Sequence, residues 1–269
     1  MTNERILQSG SITGATLEVV EIPALHGART PGEAASLKFI AESGASLKFI
    51  RARLDGGSVT TEAGALYYHK GTIENDVPTG GLGGLIEKTI KSKLTNETAF
   101  NPVYKGKGEV ILEPSFGHYV LVELTEDSII IDKSMFYASI GNINVSVAMQ
   151  NSFSSAALGG EGLFQTKIEG SGWVALSLPA PIDEIEMYTL SNETVQVDGN
   201  FGILRSKDIA FTVEKSAKGL ISSALGGEGF LCTFRGTGML WVAPTAPVYN
   251  KMRLGGMGAV TSGASNNRQ

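Results

Sequence analysis

This sequence is poor in the residues that carry most protein chemistry. It has three histidines, at 26, 69 and 118, and one cysteine, Cys232. A lone cysteine excludes an internal disulfide framework and fits a reducing compartment. The histidines lie far apart, with no paired cysteines beside them, so the chain encodes no short-range zinc spacing. Charge is sparse too: Asp, Glu, Lys and Arg make up 18% of the residues, and the net charge is −5. That balance argues against nucleic acid or an anionic membrane as the main partner. No window holds 18 uncharged apolar residues, which excludes a spanning helix. The start, MTNERILQSG, lacks the basic and apolar segments of a signal peptide, and Glu4 is out of place in an organellar presequence. The expectation is a soluble cytoplasmic protein, with peripheral membrane association left open. Gly-x-Ser-x-Gly elbows, phosphate-binding loops and His-Glu-x-x-His zinc motifs are also missing.

What the chain does have is glycine, 34 residues of it, punctuating runs of Val, Ile, Thr and Phe. Such punctuation predicts short strands and an all-β fold. One stretch organises the whole. LGGEG occurs at Leu158–Gly162 and again at Leu225–Gly229, each followed by an apolar pair, a Gly-x-Gly and a proline. The first copy continues to Gly170-Ser171-Gly172 and Pro179, the second to Gly236-Thr237-Gly238 and Pro244. A weaker copy lies upstream in Leu94–Glu97, Gly106-Lys107-Gly108 and Pro114. The glutamates at 97, 161 and 228 and the prolines at 114, 179 and 244 thus recur about every 65 residues. A period with matched glycine chemistry predicts three tandem copies of one supersecondary unit. Their expected bounds are about 47–114, 118–179 and 185–244, within a domain of residues 35–252.

Around this frame the local readings are simple. Residues 1–34 read as an N-terminal extension with one strand over Thr16–Ile22. The hexapeptide ASLKFI occurs twice, at Ala35–Ile40 and Ala45–Ile50, separated by AESG, and predicts a hairpin or a short duplication. Asp55-Gly56-Gly57, Thr125–Asp127, Ser191–Glu193 and the three Gly-x-Gly segments read as turns between strands. The one short helix is expected where Ile86, Ile90 and Leu94 share a face. Beyond Met252 the Gly/Ser/Asn-rich residues 253–269 read as a disordered tail.

Among polar residues the repeat singles out Glu97, Glu161 and Glu228. Each carboxylate is placed to accept amide hydrogen bonds from a glycine-rich turn, or to line a subunit contact. The partner glycines of that structural set are Gly106, Gly108, Gly170, Gly172, Gly236 and Gly238. No second ionisable group recurs with the glutamates, as acid–base catalysis would need. Asp132 and Asp198 do stand at matching places after a strand. Cys232 lies in the apolar run Phe230–Phe234 and reads as a core thiol. Lys88, Lys91, Lys93, Lys105 and Lys107 form a basic cluster near Tyr67, Tyr68 and Tyr104, but the other copies do not repeat it. A solvated lysine face fits it better than a base-stacking platform.

Taken together, LDGGSVTTEAGALYYHKGTI (Leu54–Ile73), the following GGLGG, LTNETAF (Leu94–Phe100), KGKGEVILEP (Lys105–Pro114) and the two LGGEG units resemble the altered inheritance of mitochondria protein 24 family over roughly residues 37–252. The resemblance implies a triplicated short double-stranded β-helix, similar to the subunit of the tryptophan RNA-binding attenuation protein, assembled as a homotrimer. It supplies no catalytic motif, no cofactor and no metal. The expectation is a non-enzymatic trimeric scaffold acting through an unknown protein partner. The alternatives are an RNA-binding ring and a small-molecule site in a cupin-like interior. The glutamates offer a direct test. Glu161→Gln keeps an acceptor, so it should cost less stability in thermal melts than Glu161→Ala, which leaves turn donors unpaired at about 1–3 kcal/mol.

Overall fold

The computed structural model describes residues 3–76, 101–148, 165–198, 201–215 and 230–261. Glu97, Glu161, Glu228, the lysines at 88, 91 and 93, and the expected helix over residues 86–94 lie outside these residues. The described chain is all-β with two helices, and its sheet is antiparallel. It divides into two compact units.

The first unit contains β1 (Arg5–Ile12), β2 (Ala15–Ile22), α1 (Pro31–Glu42), β3 (Leu47–Thr61), β4 (Leu66–Asp76) and β5 (Val103–Leu112). Most of β6 (His118–Asp132), β7 (Phe136–Ala148) and β8 (Gln165–Leu178) belongs to it as well. Strand β3 is its backbone, paired to β2, β5 and β7. Alternate residues of these strands make the core: Leu17, Val19, Ile50, Ala52, Leu54, Val110 and Leu112 are all buried. The N-terminal segment thus contributes Ala15, Leu17 and Val19 of β2 to this core. The hairpin β1–β2 is pinned further by Gln8, whose Oε1 accepts from the Leu121 amide at 2.7 Å. At Gly10 the β1 backbone lies so close to the Trp173 indole that a Cβ there would sit 2.2 Å from it.

The second unit contains the end of β6 from Ser128, β9 (Glu186–Asp198), β10 (Gly202–Ser206), β11 (Ile209–Lys215), β12 (Phe230–Val242) and α2 (Ala246–Thr261). Strand β12 pairs with β9, β10 and β11. Its core is Leu190, Val197, Ile209, Phe211, Cys232, Phe234, Leu240 and Val242, with the Phe211 and Phe234 rings stacked at 4.8 Å. Helix α2 runs through Thr261, so residues 253–261 of the expected disordered tail are helical. Tyr249 ties the helix down by donating to Glu184 at 2.7 Å.

The two ASLKFI copies do not form a hairpin: the first is helix and the second is strand. Helix α1 starts with a capping box, in which Thr30 Oγ1 accepts from the Glu33 amide and Glu33 reaches back, with Pro31 in the first turn. It ends in a Schellman motif, with Gly44 donating to Ala41 O and Ala45 to Ile40 O while Gly44 adopts a φ of +74°. These signals flank only the first copy. The second emerges from that stop alongside β2, with Lys48 opposite Glu21 and Ile50 opposite Val19. Phe39 is 67% exposed, whereas its counterpart Phe49 is 5% exposed. Tertiary burial overrides an identical local sequence.

The expected turns also resolve differently. Gly106-Lys107-Gly108, Gly170-Ser171-Gly172 and Gly236-Thr237-Gly238 lie inside β5, β8 and β12, with φ between 127° and 151°. Only glycine adopts that extended conformation readily. A neighbouring strand crosses so closely that a Cβ at Gly108 would meet Lys70 O at 2.0 Å, and one at Gly172 would meet Ile140 O at 2.1 Å. Opposite each segment, a residue in left-handed conformation bulges the long partner strand: Gly56 (φ 86°), Glu126 (φ 53°) and Asn192 (φ 57°). The middle residue of the glycine segment reaches toward the bulge in all three places. Lys107 Nζ meets Asp55 at 2.9 Å, Ser171 Oγ accepts from the Glu126 amide at 3.0 Å, and Thr237 Oγ1 accepts from the Asn192 amide at 3.0 Å. Two glycine substitutions should therefore diverge in denaturant titrations. Gly172→Ala should lose at least about 1–3 kcal/mol to backbone strain, and Gly32→Ala, in open space on α1, should be neutral or gain about 0.4–1 kcal/mol.

Candidate functional site

A chain with so few charged residues nevertheless buries several of them. Arg51 and Arg53 on β3 alternate across one residue, so they share a face, and Glu18 of β2 comes to the same face. The Glu18 carboxylate accepts from Arg51 Nε at 2.7 Å and Arg53 Nε at 3.2 Å, and Arg51 Nη1 reaches Glu4 at 3.0 Å. Burial opposes the Arg51 charge, but the hydrogen bonds and charges of Glu18 and Glu4 outweigh it and hold the guanidinium above its ordinary value. Glu18 and Arg51 thus satisfy one another inside the fold, as buried charges must. Glu21 is similarly enclosed, accepting from Ser46 Oγ at 2.6 Å and Arg5 Nε at 2.8 Å.

Two phenols occupy a further corner of the first unit. The Tyr119 and Tyr137 rings lie 5.1 Å apart, Tyr137 Oη donates to Glu113 O at 3.1 Å, and Tyr119 Oη shares a hydrogen bond with Ser115 Oγ at 2.8 Å. Burial, reinforced by Tyr119, Glu62 and Glu113, pushes Tyr137 far above an ordinary tyrosine, and burial raises Glu62. In the second unit Arg205 is 3% exposed, donating to Ile209 O at 2.8 Å and Gln165 Oε1 at 3.0 Å beside the Phe211 ring. Burial pulls it down to about 10, so it stays charged at neutral pH. The guanidinium fork fixes backbone and side-chain acceptors within the fold.

The residues singled out in the sequence do not converge. His26 and His69 are exposed, and His118 is half-buried at the start of β6. Among the described residues, no group of three or more His, Cys, Asp or Glu is placed to hold a metal. Cys232 is 3% exposed within the second unit's core. Lys105 and Lys107 are exposed on β5, while Tyr104 beside them is 5% exposed and packs into the core. Asp132 is half-buried and accepts from the Lys133 amide at 2.6 Å, and burial raises its carboxyl. Asp198 closes β9 opposite Leu231. The six glycines sit at the close strand crossings described above. Glu18, Glu21 and Arg51 were missed by sequence reading; the Arg-x-Arg spacing of residues 51–53 was the available signal.

Among the described residues β1, β4, β9 and β11 pair on one side only, and of these β4 and β9 carry exposed aromatic side chains. Among the described residues β4 pairs only with β5, and β9 only with β12. On β4, Tyr67 and Tyr68 are 60% and 54% exposed; on β9, Met187 and Tyr188 are 49% and 39% exposed. An edge of this kind is a template for another strand. No helix among the described residues is long and apolar enough to cross a membrane.

The enclosed Glu21 gives an acid-linked prediction. Burial raises its pKa, yet the Ser46 and Arg5 hydrogen bonds, with the Arg5 and Lys48 charges, bring it below the ordinary 4.5. A depressed carboxylate stabilises the fold above the unfolded value, and that stability is lost as pH falls through the folded one. Ser46→Ala should therefore cost about 1.5–3 kcal/mol at pH ~7. The gap to the parent in denaturant melts should shrink as pH falls below 4.5.

Comparison with known proteins agrees with this architecture. The crystal structure of a protein from Streptococcus pyogenes superposes with a TM-score of 0.58 at 25% identity, covering 77% of this chain and 93% of that one. No curated protein matches the sequence. The family model described as mitochondrial biogenesis AIM24 matches residues 41–245. The sheet of the first unit thus begins upstream of the family match, in β1 and β2. The chain belongs to the mitochondrial biogenesis AIM24 family.

Proposed function

We propose that this protein is a non-enzymatic, homotrimeric β scaffold, built from three tandem copies of a short double-stranded β-helix unit. Its work is to present a symmetric surface to a protein partner, in a cytoplasmic setting. The observation that carries the reading is the pair of open edges, β4 and β9, each displaying aromatic side chains to solvent. Head-to-tail association of like chains covers both edges at once, and closure of the ring leaves neither free.

The threefold recurrence of a Gly-x-Gly segment opposite a left-handed bulge supports the tandem-copy reading. The enclosed charges support a structural rather than catalytic use, since Glu18, Glu21 and Arg51 are all tied to one another or to neighbours. An RNA ring is disfavoured because Tyr104 is buried and Lys107 is engaged with Asp55.

Light scattering tests the assembly. A chain of 28.3 kDa should elute with about three times that mass, roughly 85 kDa. A monomer at micromolar concentration overturns the trimer.

A further inference from the structure

The strand registers specify how one copy meets the next. Within the chain, β3 and β6 each accept a strand in the same place relative to their bulge. Thr60, four residues after the bulge residue Gly56, pairs with Ser139 of β7, and Thr61 pairs with Ala138. Ile130, four residues after Glu126, pairs with Arg205 of β10, and Ile131 pairs with Leu204. The third bulged strand is β9, with its bulge at Asn192, and no described strand takes that place on it.

The equivalence of these strands rests on independent pairings. Leu54, two residues before Gly56, faces Gly108, and Leu190, two residues before Asn192, faces Gly238. On the far side, Thr60 faces Val103 and Gln196 faces Thr233, each four residues before the middle of its Gly-x-Gly. So Gln196 and Val197 occupy the positions held by Thr60 and Thr61.

The same test identifies the strand that fits there. In the second unit, Arg205 and Leu204 face Leu240 and Trp241, three and four residues past Thr237. In the first unit, His69 and Tyr68 of β4 face Val110 and Ile111, three and four residues past Lys107. His69 and Tyr68 are therefore the counterparts of Arg205 and Leu204, and β4 is the strand left without an acceptor. Exposure agrees. Ala138 and Leu204 are 0% and 1% exposed where their partners cover them, while Tyr68 is 54% exposed.

We infer that β9 of one copy pairs antiparallel with β4 of a second copy of this chain, placing Gln196 opposite His69, Val197 opposite Tyr68 and Val195 opposite Lys70. This rests on the self-associating reading above and adds the interface and its register. Tyr67 and Tyr68 are buried by it, and the polar Gln196 and His69 meet as a cross-strand pair.

Cysteine cross-linking reads the register. Opposed residues in an antiparallel pair lie close enough for a disulfide, and residues two places along do not. The double variant Gln196→Cys with His69→Cys, both at exposed positions, is oxidised under mild conditions beside the mismatched Gln196→Cys with Tyr67→Cys. The matched pair should give covalent multimers on non-reducing gels at about ten-fold the yield of the mismatched one. Cys232 is buried and contributes no background. Val195→Cys with Lys70→Cys probes the same register should a Gln196 variant melt below the parent. Light scattering on the reduced samples separates the failures. Assembled protein with equal yields from matched and mismatched pairs overturns the register alone. A monomer overturns the assembly and the register together. A matched disulfide that closes within a single chain overturns pairing between copies.

Discussion

The architecture depends on one steric constraint: at three places two strand backbones approach more closely than any side chain allows. A Cβ at Gly106, Gly108 or Gly170 would lie 2.0 Å from a carbonyl oxygen across the crossing. Removing the side chain permits the approach, and the extended positive-φ conformation bends the strand there. The bend needs a matching irregularity in the partner, which the bulges at Gly56, Glu126 and Asn192 provide. Strands of 13 to 15 residues, such as β3, β6, β9 and β12, keep their pairing past the bend in this way. The long strands in turn set the two cores, because alternate residues on either side of each bend continue to face inward.

Much of this is written in the chain, though not in the form that local rules suggest. Gly-x-Gly and Asp55-Gly56-Gly57 carry the composition of turns, and single-sequence reasoning ends strands there. The fold instead uses the same glycine freedom to keep strands running through a kink. What distinguishes the two uses is the strand lying across the crossing, which is distant in sequence: Gly108 needs Gly71, and Gly172 needs Gly141. The ASLKFI pair makes the same point from the other side. Six identical residues carry identical propensities, and the difference comes from Thr30, Pro31 and Glu33 before one copy and from β2 beside the other. Strand β2 itself was legible from its apolar pattern. Its partner β1, RILQSGSI, carries too little alternation to announce a strand, and only Trp173 and Leu121 explain why it lies flat.

The site was less legible than the fold. The repeat in the sequence drew attention to residues that recur, and those among the described residues, the glycines, sit at close strand crossings. The buried charges occur once each and left only a faint pattern: an Arg-x-Arg on one strand and a glutamate on another. Their meeting depends on the register of β2 against β3, in which Glu18 faces Arg51. The exposed tyrosines of β4 were visible in the sequence, but their exposure is a property of the edge and could not be read from an apolar run.

The lone Cys232 has a use that its burial creates. Its sulfur sits in the core of the second unit, between β9 and β11 through the pairs Cys232–Val197 and Cys232–Val213. A thiol reagent reaches it only when that sheet parts, so its labelling rate measures the free energy of opening in the second unit. With Trp241 of the second unit replaced by Phe, the fluorescence of Trp173 reports on the first unit, whose core it packs against. The two probes then act as separate clocks for the two halves, and a difference between them would divide global unfolding from the loosening of one unit.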